Sequence, residues 1–189
     1  MMPAILNTTR VTPEEFLEMG DASSGYELVD GQLRENPMST ESSRVGGRVS
    51  RIVGNFVEEH RLGWDFPQET VFRCFVDDPG RLRKPDGAFI SYDTLPKSEY
   101  VRDGFCETVP DLVWEVLSPN DTAKGIDLKV DQWLNAGVNS VWVLQPENKT
   151  VKVIRADGSM VLLREKDTLT EPILLPGFSV SVARLFEQL

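Results

Sequence analysis

The sequence predicts a mixed α/β fold, in which one β-sheet is flanked by helices and carries antiparallel hairpins at its edges. Three observations predict it. Asp111-Leu112-Val113-Trp114-Glu115-Val116-Leu117 is almost continuously apolar, the pattern of a central strand covered on both faces. A helical stretch separates it from a second apolar run, Ser140 to Leu144, so residues 111–144 read as a β-α-β crossover with parallel strands and a right-handed connection. Asp30-Gly31 and Asp157-Gly158 each stand between short strand-like strings, and Asp-Gly is a strong hairpin-turn signal.

The elements follow in chain order. Thr12-Pro13-Glu14-Glu15 has capping-box spacing and proline at the first helical position, which predicts a short helix to Met19, stopped by Gly20. Tyr26 to Val29 and Gln32 to Arg34 form a hairpin, and Pro37 ends its second strand. A longer helix follows, with Val45, Val49, Ile52, Val53, Phe56 and Val57 on one face, ended by Gly63. Thr70 to Val76 is rich in β-branched and aromatic residues and predicts a strand. Asp86 to Ser91 is the next strand, and Tyr92 to Val109 is a loop without period. After the central strand, Ser118-Pro119 breaks the chain. Asn120 or Asp121 caps a helix to Ala136, with Gly137 beyond its end. Thr150 to Arg155 and Ser159 to Arg164 pair as a hairpin, and Val182 to Leu189 forms a short helix. The expected organisation is a single domain over 1–189, with its core at about 12–155 and a C-terminal hairpin and short helix beyond.

Composition narrows the function. A chain of 189 residues with 40% hydrophobic and 26% charged residues is globular and of one-domain size. Acidic residues outnumber basic ones 30 to 20, for a net charge of −10, which disfavours a protein that coats nucleic acid by bulk charge. It leaves room for an enzyme with a local basic patch beside a metal-filled acidic site. Two cysteines, Cys74 and Cys106, and one histidine, His60, exclude a disulfide framework and a Cys/His zinc site. His60 sits in the charged string Glu58-Glu59-His60-Arg61, a solvated helix end rather than a triad. Met1 to Arg10 lacks a charged-then-apolar leader and no apolar run is long enough to span a membrane, so a cytoplasmic location is expected.

The chemistry is expected where charge interrupts apolar strands. Glu115 lies inside the central strand, and an unpaired carboxylate there would cost several kcal/mol, so it must be paired, protonated or metal-bound. Asp86 opens the strand before it, followed by Gly87, which allows a close approach to the backbone. Two carboxylates on neighbouring strands plus a backbone carbonyl form a hard-oxygen set of the kind magnesium favours. Lys129 falls at the edge of the apolar stripe of its helix, beside Trp133, and can reach back to the sheet, whereas Lys124 falls toward solvent. Glu27, in the first strand, has three open roles: orienting a metal-bound water, holding a second metal, or facing solvent.

At these residues the chain resembles the Uma-two family, a bacterial family of restriction-type endonucleases in the PD-(D/E)XK nuclease superfamily. The resemblance rests on Tyr26-Glu27-Leu28-Val29-Asp30-Gly31, Arg83-Lys84-Pro85-Asp86, Val113-Trp114-Glu115-Val116-Leu117-Ser118-Pro119, Lys129 and Ala136-Gly137-Val138-Asn139-Ser140-Val141-Trp142-Val143. It implies a restriction-endonuclease-like fold and metal-dependent phosphodiester cleavage. Magnesium, or manganese, would be held by Asp86, Glu115 and the Val116 carbonyl, with Lys129 and Glu27 completing the catalytic set. The lysine usual two residues after the second acid is replaced by Leu117, and Lys129 matches the helix lysine that stands in for it. Ser42 or Ser43 stands where the family often has a histidine. For a DNA substrate, Arg44, Arg48 and Arg51 on one helix face, and Arg81, Arg83 and Lys84 beside Asp86, are candidate phosphate contacts. A homodimer would suit cleavage of both strands. The alternative is a nuclease-fold module of little or no activity that binds nucleic acid or a protein partner, and an RNA or nucleotide phosphodiesterase would use the same residues.

Overall fold

The computed structural model describes residues 10–36 and 38–187. The expectations for the N-terminal leader region, for Pro37 as a strand end and for the last two residues of the C-terminal helix lie outside the described residues, wholly or in part.

Helix α1 (Pro13–Glu18) carries the expected capping box: Thr12 Oγ1 accepts from Glu15 N, and the Glu15 carboxylate accepts from Thr12 N. A single 3-10 turn, Gly20–Ser23, leads into strands β1 (Tyr26–Val29) and β2 (Gln32–Glu35). Asp30 and Gly31 both have positive φ, at 54° and 73°, as a type I′ turn requires. This hairpin forms its own two-stranded sheet. It is tied to the body by reciprocal backbone bonds, Leu28 N to Leu82 O and Leu82 N to Leu28 O, at 3.0 and 2.8 Å.

Helix α2 (Thr40–His60) buries Val45, Val49, Val53 and Val57, each worth roughly 1.5–3 kcal/mol of transfer free energy. Its stop differs from the expectation. Arg61 takes the left-handed cap conformation, and Gly63 instead opens β3 (Gly63–Pro67), a strand without a sequence forecast. Strands β4 (Gly87–Ser91), β5 (Leu112–Val116), β6 (Ser140–Gln145), β7 (Thr150–Arg155) and β8 (Met160–Leu163) complete a six-stranded sheet in the order β3-β4-β5-β6-β7-β8. Only β5 and β6 pair in parallel, joined through helix α3 (Ala123–Ala136), which is the forecast crossover. The cap of α3 is Thr122, not Asn120 or Asp121. The Asp121 carboxylate is taken by Ser118, whose N and Oγ donate to it at 2.6 and 2.9 Å.

Thr70 to Val76 is not a strand. Phe72 alone makes bridges, to Arg83 and Cys106. Phe72, Cys74 and Phe75 are buried all the same, packed with Trp133 and Val130 of α3. The core also runs past residue 155. Strands β9 (Thr168–Thr170) and β10 (Ser179–Ser181) pair with each other, and helix α4 (Val182–Phe186) follows. Leu169, Leu175, Phe178, Val182 and Leu185 join the α2 valines, Trp114 and Trp142 in one apolar cluster. The C-terminal segment therefore seals the α2 face of the sheet, while α3 covers the other face. Among the described residues no helix is long and apolar enough to cross a membrane.

Candidate active site

Strand parity decides which side chains meet. Leu112, Trp114 and Val116 of β5 join the α2-side cluster, and Val113 joins the α3-side cluster. Glu115 shares the parity of Val113 and so faces α3. On the neighbouring strand Ala88 and Ile90 lie on the α3 side, and Asp86 shares their parity, one residue before the Gly87–Trp114 pair. Gly87 is required there, because a Cβ would run into the Trp114 indole. On α3, Lys129 and Trp133 are four residues apart and lie on one face, turned toward the sheet and buried.

The result is a compact charged cluster. Lys129 Nζ lies 2.9 Å from Glu115 Oε2 and 3.1 Å from Glu27 Oε1. Trp133 Nε1 donates to Glu115 Oε1 at 2.9 Å. Glu27 is brought in by the Leu28–Leu82 tie and accepts from Lys84 N at 2.9 Å and Arg83 Nη1 at 2.7 Å. Val116 N donates to Asp86 Oδ2 at 2.6 Å. Asp86 Oδ1 is different: it is fully buried and has no hydrogen-bond partner. Glu27, Asp86, Glu115 and Lys129 are 4, 5, 4 and 7% exposed, at the floor of a cleft of about 140 Å³. That is below the roughly 300 Å³ at which pockets for organic ligands begin, and it suits an ion, waters and the tip of a larger substrate.

Electrostatics set these carboxyls apart from one another. Burial pushes Asp86 up to about 6 against the pull of Lys129 and the Val116 N–H. Burial likewise pushes Glu115 up to about 7, opposed by Lys129 and reinforced by Asp86 and Glu27. Burial also acts on Glu27, but there Lys129 and Arg83 outweigh it and hold the carboxyl below its ordinary range. Burial opposes the charge on Lys129, yet Glu115 and Glu27 raise its pKa overall, so the ammonium stays charged.

The structure thus brings together Glu27, Asp86, Glu115, Val116 and Lys129, and the solvent-facing role for Glu27 is excluded. It does not assemble an exposed basic patch beside them. Arg81 is buried against Asp77 and Asp78, and Arg83 is held by Glu27 and Gln132. Lys84 is held by Glu69 and the Ser23 carbonyl. On α2, Arg44 donates to the carbonyls of Phe186 and Glu187, and Arg48 to that of Arg184, so both clasp the C-terminal segment; Arg51 is exposed. Ser42 is buried, its hydroxyl accepting from Ser39 N in the α2 capping box, while Ser43 is exposed. His60 lies at the exposed end of α2, its ring against Phe56.

Trp133 and Gln132 have polar roles that the apolar-stripe reading missed, although spacing of four and three residues from Lys129 was an available signal. Arg34 was missed too. The two-residue turn fixes it directly opposite Glu27.

Among the described residues no three His, Cys, Asp or Glu side chains are grouped to hold a metal. Asp86 and Glu115 supply two carboxylates, and the buried, partnerless Asp86 Oδ1 is the atom a cation would satisfy. Two protein carboxylates with the remaining positions left to waters is how magnesium is commonly held, so the residues present fit that ion.

Comparison with known proteins agrees with this architecture. The Uma2 family model, described as "Putative restriction endonuclease", matches residues 13–183. A solved structure of "a putative nuclease belonging to DUF820" from Anabaena variabilis superimposes with a TM-score of 0.78 at 20% identity, over 93% of this chain and 97% of that one. No match was found among curated proteins.

Proposed function

Because the chain belongs to the Uma2 family, by a match over residues 13–183, we propose that it is a magnesium-dependent endonuclease hydrolysing phosphodiester bonds of DNA. The observation that carries this reading is Asp86 Oδ1, a buried carboxylate oxygen with no partner, beside Glu115 and a charged Lys129. Asp86, Glu115 and the Val116 carbonyl would hold the ion, with manganese as a substitute. A divalent cation held by these residues would supply polarisation of the scissile phosphate and a more acidic water.

The protein's own groups have separable tasks. Lys129 keeps its proton, so it acts as a fixed positive charge toward the developing phosphate charge and not as a base. Glu27 receives three donors and has little capacity to take a proton; it positions Lys129 and neutralises Arg83. Trp133 fixes the Glu115 carboxylate through Oε1. Glu27, Glu115, Lys129 and Trp133 are all buried, and removal from water strengthens each of these interactions.

The test is nicking of supercoiled plasmid with magnesium or manganese, with wild type beside Asp86→Ala and Glu115→Ala. Metal-dependent nicking lost in both variants is expected. Equal nicking by all three proteins, or metal binding without nicking of any nucleic acid, would overturn the reading. A folded protein that neither nicks nor binds metal would favour the non-catalytic binding module.

A further inference from the structure

The cleft over this site is lined by five carboxylates, Glu27, Glu35, Asp86, Glu115 and Asp121, against three cations, Arg34, Arg83 and Lys129. By formal count the lining is net negative, and a divalent ion does no more than cancel it, which leaves no surplus positive charge to attract a phosphodiester. Two of the three cations are already committed. Arg83 is paired with Glu27, and Lys129 is shared between Glu27 and Glu115. Arg34 is the exception. Among the described residues it makes no ion pair, and its guanidinium has one hydrogen bond, from Nη2 to Gln32 Oε1 at 2.8 Å in its own hairpin.

Position adds to charge. Arg34 is directly opposite Glu27 in the β1–β2 register. Opposed residues of an antiparallel pair project from the same face, so Arg34 points the way Glu27 does, over the catalytic floor. It is exposed while Glu27 is 4% exposed, so it stands at the mouth and Glu27 at the bottom. An arginine free to present its planar fork is the side chain best matched to a phosphate.

We infer that Arg34 is a substrate-binding residue that holds a backbone phosphate of the nucleic-acid strand at the mouth of the cleft, next to the phosphate being cleaved. This rests on the nuclease reading above. Its recognition chemistry is that of a phosphodiester and carries no base preference. The exposed hairpin supplies the attraction that the buried cations, tied up internally, do not.

The experiment compares wild type, Arg34→Gln, Arg34→Lys and a distant control, Lys166→Gln, in two assays. The first is equilibrium binding of a fluorescein-labelled DNA duplex by anisotropy at several salt concentrations, with calcium, another oxygen-seeking divalent ion, replacing magnesium. The second is steady-state plasmid nicking with magnesium. For Arg34→Gln we expect about tenfold weaker binding and a salt slope smaller by about 1, the signature of one lost phosphate contact. KM should rise about tenfold and kcat change less than about threefold, as for loss of a contact made equally to substrate and transition state. Arg34→Lys should recover much of the binding, and Lys166→Gln should match wild type. Thermal melting of each variant checks folding, and Arg34 is exposed enough for substitution to be tolerated.

Unchanged binding and salt slope in Arg34→Gln, with wild type active, would overturn this inference and leave the nuclease reading standing. A loss in kcat alone would also overturn it. Absence of duplex binding and of nicking by the wild type would overturn both.

Discussion

Two buried carboxylates on opposite faces of the sheet show how differently the same group can be used. Glu171 is 1% exposed, and its Oε2 takes Ser140 Oγ at 2.9 Å, Trp142 Nε1 at 3.3 Å and the Arg155 guanidinium at 3.5 Å. It ties the C-terminal segment to β6 and β7, with donors converging on one oxygen. Asp86 is 5% exposed, and one of its oxygens has no partner. Its charge neighbours include two other carboxylates, Glu27 and Asp121, which raise its pKa further. A chain selected for stability alone has no use for such an atom, since leaving a buried polar atom without a hydrogen bond costs about 1–3 kcal/mol. The comparison separates an acid that holds the fold together from one kept open for a ligand.

The largest effect expected from this difference is on activity. Asp86→Ala and Glu115→Ala should each lower metal-dependent nicking by about a thousandfold or more, roughly 4 kcal/mol or more of transition-state stabilisation, while circular dichroism shows a folded chain. Glu171→Ala should do the reverse. Removing the carboxylate leaves the buried Ser140 and Trp142 donors without their acceptor, at about 1–3 kcal/mol, so denaturant melts should show a clear loss of stability with nicking per folded molecule retained. If Glu171→Ala stays as stable as wild type, the contrast fails on its structural side.

The next effect is in pH and has a definite sign. Asp86 and Glu115 are raised to about 6 and about 7 in the folded chain, so the native state binds their protons more tightly than the unfolded state does. Their protonated forms favour folding fully below the unfolded value of about 4, and that contribution is lost as pH rises through 6 and 7. The metal-free protein should therefore lose stability between about pH 4 and pH 7. Asp86→Asn should be more stable than wild type at pH 8, by about 3 kcal/mol, and equal to it near pH 4. A flat wild-type profile in chelator would contradict the assigned shifts. Glu27, held low, works in the opposite direction and matters only at more acid pH. The smallest effect is at the α3 cap. Thr122 Oγ1 accepts from Gly125 N at 3.1 Å, and Thr122→Ala should cost about 1 kcal/mol in thermal melts and weaken the hold on Lys129 only slightly.

What the sequence revealed depended on how local each signal was. The β5-α3-β6 crossover was legible because a long apolar run, a helical period and Gly137 all lie within one stretch, and Glu115 stood out as a charge in that run. The hairpin at Asp30-Gly31 was legible from two residues. Strand β3 was not, because Gly63 just after a helix reads as a stop and Pro67 follows only four residues later. Thr70 to Val76 has strand composition, but Phe72, Cys74 and Phe75 are buried by packing against α3 and not by a ladder. Arg81, Arg83 and Lys84 look like a surface patch when only neighbours are considered. Arg83 is instead paired with Glu27, 56 residues away, and Lys84 with Glu69, 15 residues away. The unpartnered oxygen of Asp86 belongs to the same class of fact. It depends on what the folded chain places around one atom, and no spacing in the sequence encodes it.

The most direct test of the central claim is therefore a calorimetric titration of manganese into the metal-free protein at pH 7.5, with Asp86→Asn and Glu171→Gln alongside. The open oxygen of Asp86 predicts one saturable site in wild type and in Glu171→Gln, and at least tenfold weaker binding in Asp86→Asn. Equal affinity in all three proteins, or no saturable site in wild type, would contradict it.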